Sequence, residues 1–245
     1  MEFNVFHLNE VASTQTWLME QDCELSLPEF SVAYTENQTK GKGQGTNVWE
    51  SEKGKNISFS FVLRPYFLEA SNQYLLTQIV SLAIVDTLNK YLGKGVKIKW
   101  PNDIYVKENK ICGILIQNKL LGAEFAGVYC GIGININQEI FSFAPNPTSL
   151  ALELGKSLNT KEVFNLAMEN IYNRYSQLKR GEIESIQKEY LSLLLFKGEM
   201  RTYEYLGEKI QAKILSVNEY GHLIFETLDG KVSSCELKQW KFLFD

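Results

Sequence analysis

The sequence predicts an α+β protein in which a mixed β-sheet, with helices packed on one side, precedes a small C-terminal β-barrel. Residues 57–63 carry an apolar side chain at every second position, the pattern of a half-buried strand. Residues 75–88 repeat apolar side chains at helical spacing, which predicts a core helix. After residue 197, short apolar runs alternate with turn sequences, as in small barrels. We therefore expect two domains, 1–195 and 196–245.

The composition argues against several classes of protein. With 245 residues, 44% of them hydrophobic, the chain can bury a substantial core. Its net charge is −4 and it has no basic run, so we expect no DNA-binding face. Four cysteines without CxxC spacing and only two histidines argue against a zinc site. The N-terminus does not resemble a signal peptide and no run reaches about 18–20 apolar residues, so we expect a cytoplasmic protein with no membrane partner.

A predicted hairpin is the most informative stretch of the chain. An alternating run over 96–100 leads into the turn 101–103, a second run follows over 104–106, and Lys110 opens an apolar strand. The hairpin therefore holds the carboxylate of Asp103 and the ammonium of Lys110 on rigid strands, which suits a polyphosphate and its Mg2+. On spacing alone, a turn aspartate and a solvated edge lysine explain the pattern equally well.

A glycine-rich loop follows the predicted strand 31–35. Glycines stand at alternate positions, Gly41, Gly43 and Gly45, alongside Lys40 and Lys42, so backbone N–H groups there can approach phosphate oxygens closely. The loop lacks the Walker A spacing, and no helix follows it as in a dinucleotide-binding turn. Taken alone, a glycine-rich loop is more often a plain connection.

Two weaker signals complete the pattern. The segment 13–15 is a helix N-cap signature, and its hydroxyl and amide groups could equally bind a polar ligand. The predicted strand region 123–137 contains Gly131 and Gly133, and glycines inside a strand mark either a bulge or the close approach of a ligand.

Together these segments resemble the biotin protein ligase family (biotin–[acetyl-CoA-carboxylase] ligases) from Ser13 to the C-terminus. Residues 13–15 are similar to the family's Ser-Thr-Asn, and 41–49 to its Gly-Arg-Gly-Arg loop with a following Trp. Residues 131–135 resemble the strand that lines the biotin pocket. The most diagnostic match is the hairpin, Lys-Trp-Pro-Asn-Asp at 99–103 with Lys-Ile-Cys-Gly-Ile-Leu at 110–115.

The resemblance implies a class II synthetase-like catalytic domain, an SH3-like C-terminal barrel and a two-step acyl transfer. Biotin would attack the α-phosphate of ATP to give biotinyl-5′-AMP, and a lysine of a biotin carboxyl carrier protein would then take the biotinyl group. Catalysis would rest on positioning and charge stabilisation. The family implies Mg2+ and a possible homodimer. Only 12 residues precede Ser13, so we expect no DNA-binding domain and no DNA partner.

The resemblance also implies roles for individual residues. Lys110, Asp103 and Lys42 would be catalytic, with Asp103 as a Mg2+ contact or as the group that activates the incoming amine. Biotin would be bound by Ser13, Thr14, Gln15, Gln38, Lys42, Gly43, Gln44, Trp49, Lys110, Gly113, Gly131 and Gly133. The nucleotide would be bound by Gly41, Lys42, Gly43, Gln44, Trp49, Asn102, Lys110 and Asn135.

The chain departs from the family pattern in its glycine-rich loop and in its first motif. Lys42 and Gln44 stand where the family has arginines. Lysine is a point charge without the bidentate fork of arginine, and glutamine is neutral, so we expect weaker retention of the adenylate. Gln15 stands in place of asparagine and lengthens one donor arm.

Three other interpretations are open at this point. A lipoate or octanoyl ligase would share the general fold, but the Trp-Pro-Asn-Asp hairpin favours biotin. A non-catalytic module that sequesters biotin would have no use for Lys110 and Asp103. A structural protein with chance motifs would not place four of them in the family's order.

Overall fold

The computed structural model describes residues 3–45, 47–122 and 124–244. Helices and strands are interspersed up to residue 193, and short strands predominate from residue 200 onward. In chain order the elements are β1 (Asn4–His7), α1 (Thr14–Leu25), β2 (Ser31–Thr35), β3 (Gly41–Lys42), β4 (Val48–Trp49), β5 (Ile57–Leu63), α2 (Tyr74–Leu92), β6 (Val96–Lys99), β7 (Asp103–Val106), β8 (Asn109–Leu121), β9 (Glu124–Ile134), α3 (Leu150–Leu154), α4 (Thr160–Lys179), α5 (Ile183–Leu193), β10 (Met200–Tyr205), β11 (Glu208–Val217), β12 (Leu223–Thr227), β13 (Val232–Cys235) and β14 (Trp240–Phe242).

The larger sheet has seven strands in the order β1-β2-β5-β9-β8-β7-β6. Strands β1 and β2 pair in parallel, and the other neighbouring pairs are antiparallel. The predicted mixed sheet and α+β class are therefore confirmed. The hairpin formed by β7 and β8 lies between β6 and β9, so both of its strands are held by neighbours.

The two faces of this sheet carry different side chains. On one face Phe59 and Phe61 belong to a large buried cluster with residues of α2, α4 and α5, as the prediction of helices on one side requires. Helix α1 packs on the opposite face, where Leu18 meets Ala33 and Val62. Helix α1 is thus an exception to the prediction that the helices pack on one side of the sheet. Small and polar side chains of β2 and β5 leave room on this face for one short helix and for a cavity.

The C-terminal sheet is antiparallel, with five strands in the order β13-β12-β11-β10-β14. Its first strand begins at Met200, so the linking residues 194–199 contain the predicted boundary; the division into two domains stays a prediction. Phe225 and Phe242 of this sheet share one buried cluster with Ile98 of β6. None of the helices in the described ranges has the length and apolar character to cross a membrane.

Candidate active site

A cavity of about 200 Å3 opens on the α1 face of the sheet, where the glycine-rich loop, the hairpin and α1 meet. It brings together nearly every residue that the sequence analysis singled out, although those residues are spread over 120 positions of the chain, from 13 to 133. The predicted residues that line it are Ser13, Thr14, Gln15, Gln38, Lys42, Gly43, Gln44, Trp49, Asn102, Asp103, Lys110, Gly113, Gly131 and Gly133.

One end of the cavity is a network of uncharged polar groups. The backbone N–H and the hydroxyl of Thr14 both donate to Gln38 Oε1, at 2.9 and 3.1 Å. The Oγ atoms of Thr14 and Ser60 are 2.8 Å apart, and since the Thr14 proton is used on Gln38, Ser60 donates to Thr14. This pattern fixes Gln38 with its oxygen as the acceptor, so its Nε2 remains a donor for a ligand.

Gln15 holds the two central strands together beside this network. Its Nε2 donates to the carbonyl oxygens of Leu115 in β8 and Tyr129 in β9, at 3.2 and 3.0 Å. Both amide protons are thereby committed, so only Oε1 can serve a ligand, as an acceptor. A Cβ placed on Gly131 would lie 2.9 Å from that oxygen, which explains why the strand carries glycine there.

Ser13 has the structural role that its position before a helix predicts. It is the N-cap of α1, and its Oγ accepts a hydrogen bond from the backbone N–H of Thr16 at 3.4 Å. The residue is buried and also lines the cavity. The cap therefore sets where α1 begins, and so where Thr14 and Gln15 lie.

The other end of the cavity is charged. Lys110 Nζ lies 2.7 Å from Asp103 Oδ1, and Lys99 Nζ lies 3.9 Å from Asp103 Oδ2. Burial lowers the pKa of Lys99 below its ordinary 10.5; Asp103 opposes this effect and Lys110 adds to it. One carboxylate between two ammonium groups leaves net positive charge for an anionic ligand.

The backbone of Lys110 is fixed on both sides. Its N–H donates to the carbonyl of Asn146 at 2.6 Å, and its own carbonyl accepts from the N–H of Thr148 at 2.9 Å. The segment 146–148 thus continues the sheet next to the start of β8 and holds the base of the lysine side chain.

Trp49 covers the floor of the cavity between its two ends. A Cβ added to Gly133 would overlap the Trp49 indole, and one added to Gly113 would lie 3.0 Å from it. The two glycines therefore allow a flat ring to lie against β8 and β9, and in this structure that ring is the indole. Lys42 of the same loop donates to the Thr16 hydroxyl at 3.3 Å. Thr46 lies outside the described residues.

Glu50 anchors the glycine-rich loop to the neighbouring segment 142–144. Its carboxylate accepts backbone N–H groups of Ser142, Phe143 and Ala144 at 2.6, 3.0 and 3.0 Å. Partial burial raises the pKa of this carboxyl group, but the N–H donors outweigh that effect and the net pKa is lowered. The anchored form is therefore the carboxylate.

Gly41 and Asn135 are not among the residues that line the cavity. Gly41 is buried in β3 against the backbone of Trp49. The side chain of Asn135 donates to the carbonyl of Thr148 at 2.9 Å, which supports the segment beside Lys110. Their assignment to nucleotide binding stays a prediction.

The cavity also contains residues that the sequence analysis did not single out. Ser60 is on the polar side of the alternating strand β5, and that alternation was the signal that could have found it. Lys99 belongs to the quoted hairpin motif. Leu237 comes from the C-terminal part of the chain, and no local pattern links it to the site. The full set is Asn47, Val48, Ser60, Lys99, Pro101, Ile114, Leu115, Ile132 and Leu237.

Comparisons with known proteins identify relatives of this chain. The model of the biotin/lipoate A/B protein ligase family matches residues 8–135. The bifunctional ligase/repressor BirA of Bacillus subtilis is 28% identical over 220 residues, which are 87% of this chain and 67% of that protein. The biotin–[acetyl-CoA-carboxylase] ligase of Paracoccus denitrificans is 27% identical over 201 residues, 78% of each chain.

A solved structure resembles nearly the whole chain. The biotin protein ligase of Aquifex aeolicus in complex with biotin and ATP superposes with a TM-score of 0.79 at 27% identity, covering 97% of both chains. The family model spans more than half of the 245 residues, and its matched range contains all fourteen predicted lining residues. This chain belongs to the biotin/lipoate A/B protein ligase family.

Proposed function

We propose that this protein is a biotin protein ligase, which uses ATP to activate biotin as biotinyl-5′-AMP and transfers the biotinyl group to a lysine of a carrier protein. The observation that carries the proposal is the division of one cavity into an uncharged polar end and a Lys-Asp-Lys end, with a glycine floor between them. Biotin has the same division, with a ureido ring at one end and a carboxylate at the other.

The uncharged end matches a cyclic urea in its hydrogen-bonding groups. A ureido group presents one carbonyl acceptor and two N–H donors. Gln38 Nε2 offers a donor for the carbonyl, while Gln15 Oε1 and the Ser60 hydroxyl oxygen offer acceptors for the N–H groups. The rigid pairing of these groups supports recognition of a neutral ring.

The charged end supports the activation step. A biotin carboxylate oxygen attacks the α-phosphorus of ATP, the bond to the bridging oxygen breaks, and pyrophosphate leaves with the electron pair. Lys110 sits where its ammonium would offset the negative charge that grows at the carboxyl–phosphorus junction. Lys42 of the glycine-rich loop would add a second cation, and its mobility would be limited by Thr16.

The transfer step needs a nucleophilic amine from the carrier. The lysine amine attacks the acyl carbon of the adenylate, AMP leaves, and the amine loses a proton. Asp103 is the carboxylate next to this junction and would accept that proton or orient the amine. The carrier would be a biotin carboxyl carrier protein of an acetyl-CoA or related carboxylase.

Magnesium would enter this site with its nucleotide. No group of three or more His, Cys, Asp or Glu that could hold a metal occurs in the ranges 3–45, 47–122 and 124–244. Asp103 is a single carboxylate with an ammonium 2.7 Å away. A Mg2+ ion is commonly held by one or two carboxylates together with substrate phosphates, so Asp103 fits as one contact to a Mg–ATP substrate.

The decisive experiment is ATP-dependent incorporation of labelled biotin into a purified carrier domain, combined with ATP–pyrophosphate exchange driven by biotin, lipoate or octanoate. We expect exchange with biotin alone. Lys110→Ala should lower the rate of exchange by about 100-fold or more while leaving the fold intact. Removal of one group that stabilises transition-state charge typically lowers the rate by that factor. Lys94→Ala, at an exposed lysine outside the cavity, is the matched control.

Each rival function has its own outcome in this experiment. Exchange with lipoate or octanoate and not with biotin would identify the other branch of the family. Tight biotin binding without exchange or incorporation would identify a sequestering module. Either result would overturn the proposal.

A further inference from the structure

We propose that Tyr190 of α5 is a positioning residue for the charged end of the cavity, because its hydroxyl holds the carbonyl of Pro101 and thereby the turn that carries Asp103. This inference rests on the proposed function. Tyr190 lies outside the cavity lining, on the helical face of the sheet, and belongs to no motif that the sequence analysis used.

The hydroxyl of Tyr190 is committed to a single acceptor. It donates to the carbonyl oxygen of Pro101 at 2.6 Å, and its side chain has no solvent exposure. Tyr74 of α2 is its second partner, with the two hydroxyl oxygens 2.7 Å apart. Since Tyr190 has only one hydroxyl proton and uses it on Pro101, Tyr74 must donate to Tyr190.

Pro101 lies in the turn between β6 and β7, two residues before Asp103. Each residue of this turn is hydrogen-bonded to a different part of the chain. The Trp100 indole N–H donates to the carbonyl of Gly221 at 3.0 Å, and Asn102 Nδ2 donates to the carbonyl of Ile114 at 3.1 Å. Proline has no N–H of its own, so its carbonyl is the backbone group through which this peptide unit can be held.

The Tyr190 hydroxyl remains a hydrogen-bond donor across the pH range in which the enzyme would work. Burial raises the pKa of Tyr190 well above its ordinary 10.0, with Tyr74 adding to the shift, and burial also raises the pKa of Tyr74. Neither phenol ionises near neutral pH. The effect of removing the Tyr190 hydroxyl should therefore not vary with pH between about 6 and 9, the range below these raised values.

Loss of the hydrogen bond from Tyr190 to Pro101 should lower the reaction rate and leave the affinity for biotin unchanged. Thr14, Gln38 and Ser60 form the uncharged end from α1, the loop after β2, and β5, and their hydrogen bonds do not involve the turn. A loosened turn would displace Asp103 relative to Lys110 and the α-phosphorus. A misplacement of about 1 Å in reacting groups typically costs about 100-fold in rate.

The test compares Tyr190→Phe with Tyr74→Phe. Both variants delete one hydroxyl from the same buried pair, but Tyr74→Phe leaves the donor to Pro101 in place. We expect Tyr190→Phe to lower kcat of biotin-dependent ATP–pyrophosphate exchange by about 10- to 100-fold. Its Kd for biotin, measured by calorimetry without ATP, should stay within about twofold of wild type, and Tyr74→Phe should keep kcat within about threefold.

A third variant covers the case in which Tyr190→Phe does not fold. Tyr190→4-aminophenylalanine keeps an N–H donor of lower strength at the same place, so its kcat should fall below the wild-type value while its Kd for biotin stays unchanged.

Four outcomes would overturn the inference while leaving the proposed function intact. Wild-type kcat in Tyr190→Phe would show that the bond to Pro101 does not matter to the reaction. Equal losses in Tyr190→Phe and Tyr74→Phe, or a parallel rise in the Kd for biotin, would show that the pair only supports the fold. Wild-type kcat in the aminophenylalanine variant, if Tyr190→Phe is unfolded, would contradict it as well. Absence of biotin-dependent exchange in the wild type would instead overturn the proposed function, and this inference with it.

Discussion

Lys99 shows how a single half-buried charge shapes the cavity. Its ammonium lies 3.9 Å from Asp103 and 5.0 Å from the centre of the Phe242 ring. Burial of this group opposes its charged form, whereas the carboxylate and the ring face favour it. A cation kept in such a place at a cost in stability is typical of a site that binds anions.

Lys99→Met should raise or preserve thermal stability at pH 7 while lowering exchange activity. The folded-state pKa of Lys99 is lowered from 10.5, so the unfolded chain holds this proton more tightly. Wild-type stability therefore rises with pH between the folded pKa and 10.5, and the advantage of the variant should shrink over that interval. Thermal unfolding at pH 7 and pH 10 measures this. A variant that is less stable at pH 7, or that gains its advantage only at high pH, would contradict the account.

Gly133→Ala should weaken biotin binding more than Gly113→Ala. The new Cβ at Gly133 would overlap the Trp49 indole, whereas the one at Gly113 would stand 3.0 Å away. Overpacking of this kind costs about 1–3 kcal/mol, or about 5- to 150-fold in an equilibrium constant. Titration calorimetry with biotin checks the order of the two effects, and a larger effect at Gly113 would argue against a ring-binding floor at Gly133.

The glycine-rich loop is held as an element by contacts at its two ends. Gly41 pairs with Trp49 across β3 and β4. The next residue, Glu50, accepts hydrogen bonds from the backbone N–H groups of residues 142–144. Lys42 and Gln44 between them are exposed. The loop therefore has a fixed base and a cationic but weakly tethered tip, which suits a cover that retains an adenylate.

Glu50→Gln should accelerate release of biotinyl-AMP without changing the fold. The amide keeps the size of the carboxylate but loses its charge, and charge-assisted hydrogen bonds are roughly twice as strong as neutral ones. Burial of Glu50 opposes ionisation, but the N–H donors leave its pKa below 4.5, so the anchor is fully present above 4.5 and is lost as pH falls through the folded pKa. The rate at which biotinyl-AMP leaves the enzyme, measured after the adenylate has been formed on it, tests this prediction, with Glu52→Gln as the control. Equal release from both variants would show that the anchor is irrelevant.

At the scale of the whole molecule, the seven-stranded and five-stranded sheets meet at the hairpin that carries Asp103 and Lys110. Leu237 reaches the cavity, Trp100 donates to the carbonyl of Gly221, and Arg201 pairs with Glu108 at 2.8 Å. Tyr105 and Phe244 stack with ring centres 5.5 Å apart. The C-terminal sheet is thus part of the structure that holds the charged end.

Thermal unfolding should therefore show one cooperative transition. Buried residues of both sheets belong to one cluster, so loss of the C-terminal sheet would expose the hydrophobic residues around Ile98 and Trp100. Calorimetry should give equal calorimetric and van't Hoff enthalpies for the wild type. Two resolved transitions would mean that the sheets unfold independently and that the contacts named above contribute little.

The parts of the site predictable from sequence were those set by local spacing. Asp103 and Lys110 are seven residues apart on one hairpin, and a hairpin brings its strands together without help from the rest of the fold. Glycine at 133 correctly indicated a close approach, but the group in contact is the chain's own Trp49. Which group makes this contact depends on the conformation of the glycine-rich loop, and no periodicity in the sequence predicts that conformation.

The parts that could not be predicted depend on packing between distant segments. Leu237 enters the cavity because the C-terminal sheet docks on the hairpin, and Tyr190 reaches Pro101 because α5 packs under the turn. The place of α1 on the second sheet face also follows from packing, since its apolar pattern is weak and its start is polar. Tertiary contacts of this kind leave no signal in a single sequence.

The most direct test of the central claim is a crystal structure of the protein with biotin and ATP, or with biotinyl-5′-AMP. We expect the ureido ring at Thr14, Gln38 and Ser60, and Lys110 Nζ within about 3.2 Å of an oxygen at the carboxyl–phosphorus junction. A complex in which Lys110 points into solvent while the ligands lie elsewhere would contradict it.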